Sequence, residues 1–187
     1  MSPVARFVGP AIVVLAVAWA VAGGRVMDRI DSALTRDTAG CARSGDRPPG
    51  DLAAAERATL CLLDHEREAQ GLPAFVRDER LDRASRRHSR AMARTHFFAH
   101  RGADGTDPIA RMRAAGWPRE RGGAENIAWG AGGGSTPADI VDGWMHSPGH
   151  RRNILDPRLR LIGVGIATGS PEPDEPAEAA VYTTDFG

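Results

Sequence analysis

Residues 144–155 read WMHSPGHRRNIL, a stretch that concentrates polar functional groups. It places His146 and His150 on either side of Pro148 and Gly149, directly before the hydrophobic C-terminal part of the sequence. On an uninterrupted helix, this H-x-x-x-H spacing would put two imidazoles on one face, as a metal site needs. Because Pro148 and Gly149 are predicted to break the helix, the pair is not a helical metalloprotease motif, and the sequence contains no H-E-x-x-H.

Apolar spacing and capping residues predict the elements on both sides of this stretch. Helices are expected at residues 51–70, 78–95, 106–115 and 138–145, the first of them capped by Asp51. Strands are expected at residues 125–129, 161–167 and 180–186, the second of them interrupted by Gly163 and Gly165. Helices followed by an antiparallel pair of strands predict an α+β fold rather than a doubly wound sheet.

Two further motifs carry candidate functional groups. Glu125, followed by Asn126, enters an apolar run, and an acid that enters a buried segment needs a partner. His96 and His100 repeat the H-x-x-x-H spacing, but the two phenylalanines between them indicate an extended segment. The spacing alone is therefore a weak indication of a metal site.

Three other polar residues are interpreted without a functional role. Ser147 lies between two histidines, but the sequence lacks a G-x-S-x-G nucleophile motif, and a serine before proline is typical of a turn. His88 lies on the apolar face of the second helix and is predicted to be structural. His65 has acidic neighbours and is predicted to be solvated.

The composition excludes several classes of function. The 187 residues carry 24 basic and 24 acidic side chains, and every basic one is arginine. Without lysine, Schiff-base chemistry and a Walker-type phosphate site are excluded. A neutral charge balance and only 5% aromatic residues argue against a nucleic acid as the partner.

The N-terminal sequence indicates export. Residues 7–24 are uncharged and follow Arg6, as in a signal peptide, and residues 20–22 fit an A-x-A cleavage site. The stretch is also about as long as the shortest membrane-spanning helix, so an uncleaved anchor is the alternative. Residues 25–50 are polar, contain Gly and Pro breaks, and are predicted to form a linker or arm before a domain at 51–187.

Export also gives the two cysteines an expected role. In an oxidising compartment Cys41 and Cys61 are expected to form a disulfide, with two free thiols as the alternative. The sequence has no C-x-x-C and no Cys–His cluster, so a thiolate zinc site and a redox dithiol are not expected.

The chain resembles a known family, the CAP superfamily, which groups cysteine-rich secretory proteins, insect venom antigens and plant pathogenesis-related proteins. The closer resemblance is to its bacterial extracellular subgroup, the SCP-like proteins. Seven segments carry it in order, at residues 62–67 with 71–72, 88–92, 97–100, 125–128, 144–155, 162–165 and 182–187.

The resemblance implies an α-β-α sandwich with a small antiparallel sheet and a cleft lined by two histidines and one or two acids. Carried over by motif, these residues are His100, Glu125 and His150. Family members with the complete set have a second Glu where this chain has Ser147. Asp64 stands where the family commonly has Asn, and we expect Asp64 or Glu66 to pair with a nearby Arg.

Two functions fit these residues. The first is an exported binding module, secreted or held at the membrane by the N-terminal segment, with an unknown extracellular ligand or protein as partner. His100 and His150, with Glu125 nearby, would then bind a divalent metal such as Zn²⁺ or a small ligand. The alternative is a zinc-dependent hydrolase acting on proteins or cell-wall peptides, with Glu125 as the general base.

Overall fold

The structure is a computed structural model that describes residue 41, residues 45–173 and residues 178–187. The predicted leader at residues 7–24 and most of the predicted linker lie outside the described residues. In the part of the chain so described, no helix is long and apolar enough to cross a membrane.

The described residues form five α-helices, one short 3-10 helix and four strands. The helices are α1 (Leu52–Glu68), α2 (Glu79–Thr95), α3 (Pro108–Ala114), α4 (Pro137–His146) and α5 (Pro148–Ile154). The strands are β1 (Val76–Arg77), β2 (Ala124–Ala131), β3 (Leu161–Thr168) and β4 (Ala179–Phe186), and the 3-10 helix is Gly132–Ser135.

The four strands form one sheet in the order β1-β3-β4-β2. The pairs β3–β4 and β2–β4 are antiparallel, as predicted, but β1 runs parallel to β3. The sheet is therefore mixed: the expected antiparallel sheet is confirmed for β2, β3 and β4, and β1 adds a parallel strand that was not predicted. Because β1 contains only two residues, it has no alternation from which a strand could be predicted.

Helices cover both faces of the sheet, which confirms the α-β-α sandwich. On one face, the odd-numbered residues of β3 meet α2 directly. A Cβ on Gly163 would lie 2.0 Å from the Leu81 carbonyl carbon, and one on Gly165 would lie 2.1 Å from the Arg86 nitrogen. These glycines do not interrupt the strand as predicted; they let the backbone of α2 approach it.

The opposite face of the sheet carries the main hydrophobic core, beneath α1, α4 and α5. Its buried members include Leu63, Trp144, Ile154, Val164 and Tyr182, all between 0% and 1% exposed. Since side chains alternate along a strand, β4 sends Tyr182 and Phe186 to this core and Thr183 and Asp185 towards α2.

Most helices begin at a side-chain cap. Asp51 accepts hydrogen bonds from the Ala53 and Ala54 amides, which confirms its predicted role. The predicted break between His146 and His150 is confirmed: α4 ends at His146, Ser147 is extended, and a separate helix that was not predicted, α5, begins at Pro148. Proline has no N–H to leave unpaired at the first turn of a helix, so here it marks the start of one.

The structure contains the predicted disulfide between Cys41 and Cys61, whose Cα atoms lie 5.7 Å apart. Cys41 is buried, with 6% of its surface exposed. The disulfide joins a residue of the predicted linker to the middle of α1, and therefore attaches that part of the linker to the domain.

Asp64 does not pair with an arginine, contrary to the expectation. Its Oδ1 accepts a hydrogen bond from the Phe75 amide at 2.8 Å, and burial raises the pKa of the carboxyl group to about 6. Among the described residues neither Asp64 nor Glu66 forms a salt bridge. The neighbouring Arg67 is buried and donates instead to the Pro73 and Ile154 carbonyls, and its guanidinium lies 4.0 Å from the centre of a phenylalanine ring.

Candidate functional site

Glu125 lies on β2, at the open edge of the sheet, with its side chain on the α2 face. Only 1% of that side chain is exposed, yet both carboxylate oxygens have partners. Oε1 accepts from His100 Nδ1 at 2.8 Å, and Oε2 accepts from Arg111 Nη2 at 2.5 Å. The buried acid predicted from the sequence has two partners, one on the segment after α2 and one on α3.

This contact fixes the protonation of the His100 ring. A carboxylate only accepts hydrogen bonds, so His100 donates through Nδ1–H to Glu125. Nε2 is then the free nitrogen of the ring, and the side chain is about half exposed, at 52%. A histidine held in this way by a carboxylate presents its second nitrogen as a directed acceptor or metal ligand.

Arg111 and Asp185 belong to the same cluster, and no sequence pattern indicated either of them. Arg111 is 8% exposed and also donates to the Thr106 carbonyl. Asp185 pairs directly with Glu125 across β2 and β4. Burial and the nearby Glu125 charge raise the pKa of Asp185 well above its usual value.

His150 reaches the site from α5, on the other face of the sheet. Asn126 Nδ2 donates to the His150 carbonyl at 3.1 Å, and Asn153 Nδ2 donates to Asn126 Oδ1 at 2.8 Å. These amides attach α5 to β2. The His150 ring is partly buried, and burial together with the nearby His100 lowers its pKa.

A cavity of about 400 Å³ opens beside His150. Its wall includes the rings of Phe98, Trp129 and Trp144 and the polar side chains of Asp139 and Ser147. Phe98 is 43% exposed, which is unusual for a large apolar side chain here. The site is thus a cleft beside β2, with His150 and aromatic side chains in its wall and His100 near enough to His150 to lower its pKa.

Comparison with known proteins gives the same architecture. Residues 60–184 match the model of the CAP family, described as the cysteine-rich secretory protein family. The chain belongs to the CAP family. It is 37% identical over 123 residues to the uncharacterized protein YkwD of Bacillus subtilis, covering 65% of this chain and 46% of that protein.

Solved structures show the same CAP fold. An extracellular protein with an SCP domain from Bacillus anthracis matches with a TM-score of 0.59 at 24% identity, covering 72% of this chain and 40% of that one. An outer surface protein of Borrelia burgdorferi matches with a TM-score of 0.58 at 17% identity, covering 70% and 90% of the two chains. The chain therefore spans less than half the length of YkwD and of the Bacillus anthracis protein.

Two other histidines of the CAP domain have local partners. His88 is 1% exposed, its pKa is lowered by burial, and its Nε2 bonds the Ala99 carbonyl at 3.0 Å. It therefore holds the segment that carries His100. His96 ends α2 in the left-handed conformation, with φ at 49°, and its Nδ1 bonds the Ser170 carbonyl.

The donors of this cleft form only part of a metal site. Within the described ranges, no three His, Cys, Asp or Glu side chains lie close enough together to hold an ion. Glu125 is buried and bonded at both oxygens, and Ser147 occupies the position of the second family acid. Two imidazoles remain, one fewer than the three protein ligands usual in an open zinc site.

Proposed function

We propose that this CAP domain is an extracellular binding module whose ligand lies between His100 and His150. The observation that carries the proposal is the half-exposed ring of His100, which a buried carboxylate orients and which is near enough to His150 to lower its pKa. The aromatic wall adds apolar contact area for the rest of the ligand.

The chemistry of the cleft favours a ligand that accepts electron pairs. His100 uses Nδ1 to donate to Glu125, which leaves the Nε2 lone pair directed outwards. The His150 pKa is lowered, so this ring is neutral near pH 7 and offers a second lone pair. A divalent ion such as Zn²⁺, or a small molecule with hydrogen-bond donors, fits these groups. With two protein donors, a metal ion would take its remaining ligands from water or from a bound molecule, and its affinity would be modest.

An extracellular location is the second part of the proposal. The apolar segment at residues 7–24 has the features of a signal peptide or an anchor. The matched Bacillus anthracis protein is described as extracellular and the Borrelia burgdorferi protein as an outer surface protein. The disulfide is of the kind that persists outside the cytoplasm.

The hydrolase alternative gains no support from the arrangement of the acids. A general base has to reach a water or substrate proton, but the Glu125 carboxylate is 1% exposed and bonded to His100 and Arg111. We therefore assign Glu125 the role of orienting His100.

Calorimetric titration of the full-length protein with Zn²⁺ tests the proposal. Replacing His100 or His150 with Ala should weaken binding at least about tenfold each, because one of only two protein ligands is removed. The matched control is His65→Ala, an exposed histidine on α1. Equal zinc binding by the wild type and by the His100→Ala, His150→Ala double variant would refute the metal form of the proposal.

A further inference from the structure

Four arginines form a single stripe along the outer face of α2. Arg83, Arg87, Arg90 and Arg94 follow the i, i+4, i+7, i+11 pattern, and all four are exposed. With a rise of about 1.5 Å per residue, the stripe is roughly 16 Å long. The opposite side of the same helix packs on the sheet, so the stripe faces solvent.

The charges of the stripe are largely unbalanced. Just before the stripe, Arg80 is bonded to Asp78 at 2.6 Å. By contrast, Arg87, Arg90 and Arg94 form no salt bridge or side-chain hydrogen bond with any residue that the structure describes. The chain as a whole is neutral, so this is a local concentration of positive charge.

The stripe lines a groove of about 650 Å³ that lies between side chains of α2, the element to which all of its described lining residues belong. The side chains of Arg83, Arg86, Arg87, Arg90 and Arg94 contribute to its wall, with Ala91 and Thr95 between them. Of the described residues that line the groove, none is acidic and none is aromatic. Like charges one turn apart destabilise a helix, so a bound anion would relieve a repulsion that the free domain carries.

We propose that this groove binds a linear, phosphate-bearing polymer outside the cell. Successive guanidinium groups lie three or four residues apart, a spacing of about 5–6 Å along the helix axis. This repeat suits a chain of phosphates, and arginine binds each phosphate through two parallel hydrogen bonds.

Two other anionic partners fit the groove less well. Nucleic acid bases need aromatic side chains for stacking, and the part of the groove that the structure describes has none. An anionic membrane is bound more firmly when apolar side chains insert among the lipids, and no large apolar side chain is among the described lining residues. A polymer of phosphates without bases needs neither stacking nor insertion.

The stripe is separate from the proposed cleft. The cleft uses His100 and His150 at the edge of the sheet, whereas the arginines lie on the outer surface of α2. The two sites are therefore expected to respond independently to substitution.

Binding of the full-length protein to long-chain inorganic polyphosphate, measured over a series of salt concentrations, tests the proposal. The Arg87→Gln, Arg90→Gln, Arg94→Gln variant should bind at least about tenfold more weakly, with a salt slope smaller by about 2, since about 0.7 counterions are released per contact. The control variant is Arg57→Gln, Arg119→Gln, Arg152→Gln, which removes the same charge at three scattered exposed positions. It should keep most of the affinity.

Three results would overturn the proposal. Equal losses in the two triple variants would show that net charge alone sets binding. Orthophosphate binding as tightly as polyphosphate, at equal phosphate concentration, would exclude a linear ligand. Loss of binding to phosphatidylglycerol vesicles, with polyphosphate binding unchanged in the stripe variant, would assign the arginines to a membrane surface instead. Circular dichroism of each variant establishes that it is folded.

Discussion

Glu125 and Asp185 face each other directly across β2 and β4, so two carboxyl groups lie side by side in the interior of the domain. Arg111 and His100 surround the first, and Ser85 donates to Oδ2 of the second at 2.8 Å. Two buried charges of the same sign at this distance are unfavourable, and one arginine cannot neutralise both. Burial and the neighbouring carboxylate therefore raise the pKa of Asp185. Asp185 Oδ1 has no hydrogen-bond partner among the described residues.

The raised pKa of Asp185 predicts how stability depends on pH. The pKa of Asp185 is raised in the folded state, so the folded protein holds a proton that the unfolded chain releases above about pH 4. Stability should fall as the pH rises from there towards the folded pKa. Asp185→Asn has nearly the same shape and cannot ionise, so it should be more stable than the wild type at pH 7 by at least about 1 kcal/mol, the free energy equivalent of one pKa unit.

Urea denaturation of the wild type and Asp185→Asn between pH 4 and pH 8 measures this difference. The gap between the two curves should widen with pH. A gap that is constant, or that narrows as the pH rises, would mean that Asp185 is charged in the folded domain.

The second prediction concerns the tautomer of His100. In Glu125→Gln, the amide oxygen must face Arg111, because a guanidinium has no acceptor. The amide nitrogen then faces His100 Nδ1 and donates to it, which moves the ring proton to Nε2. Two-dimensional ¹H–¹⁵N NMR at pH 7.5 should show this change for His100, with the His150 tautomer unchanged.

The same variant should lose ligand affinity and stability. A protonated Nε2 has no lone pair for a ligand, so the cleft retains only one nitrogen donor. Removing one charge from a buried ion pair typically costs about 3–5 kcal/mol, because Arg111 stays buried without a counter-charge. A His100 ring that keeps its proton on Nδ1 in this variant would contradict the assigned orienting role.

The sequence predicted the parts of the site that depend on local pattern. His100, Glu125 and His150 each lie within a recognisable motif, and helix caps such as Asp51 follow from the residue types alone. Arg111 could not be predicted, because an arginine in the last turn of a short helix looks the same whether it is solvated or buried. Its role depends on how α3 approaches β2.

Asp185 and α5 show two further limits. The contact of Asp185 with Glu125 depends on the register between β2 and β4, which neither strand encodes by itself. For α5, the local pattern around Pro148 correctly predicts the helix break after α4. It does not predict that a second helix begins at Pro148, although proline is favourable as the first residue of a helix.

The third prediction concerns Asp64, which stands at a position where the family commonly has Asn. Burial raises its pKa to about 6, so the wild type should lose stability as the pH rises between about 4 and 6. Asparagine keeps an oxygen for the Phe75 amide without the charge. Asp64→Asn should therefore be more stable than the wild type at pH 7 by about 1 kcal/mol. This is less than the pKa shift of Asp64 alone implies, because the side chain is only half-buried.

Thermal or urea denaturation at pH 4 and at pH 7 tests this. The two proteins should differ little at pH 4 and clearly at pH 7. Glu120→Gln, an exposed acid-to-amide change, is the control and should follow the wild type at both values. A stabilisation that is the same at both pH values would show that burial of the charge is not its cause.

The last prediction tests the contact between α2 and β3, on which the orientation of the whole site depends. A Cβ on Gly165 would lie 2.1 Å from the Arg86 nitrogen and 2.3 Å from the Ser85 carbonyl carbon, both backbone atoms that cannot rotate away. Gly165→Ala should therefore push α2 off the sheet and cost at least about 3 kcal/mol. Because α2 leads directly to the segment that carries His100, its displacement should also weaken the His100–Glu125 contact, visible as a changed His100 ring resonance.

Gly143→Ala on α4 is the matched control for this substitution. Its Cβ would meet nothing within 4 Å, so alanine should stabilise that helix by about 0.5–1 kcal/mol. Urea denaturation measures both effects. If Gly165→Ala is too unstable to purify, the Gly143→Ala, Gly165→Ala double variant is compared with Gly143→Ala, and the difference in their unfolding free energies gives the effect of Gly165→Ala. A Gly165→Ala protein as stable as the wild type would mean that α2 does not lie in backbone contact with the sheet.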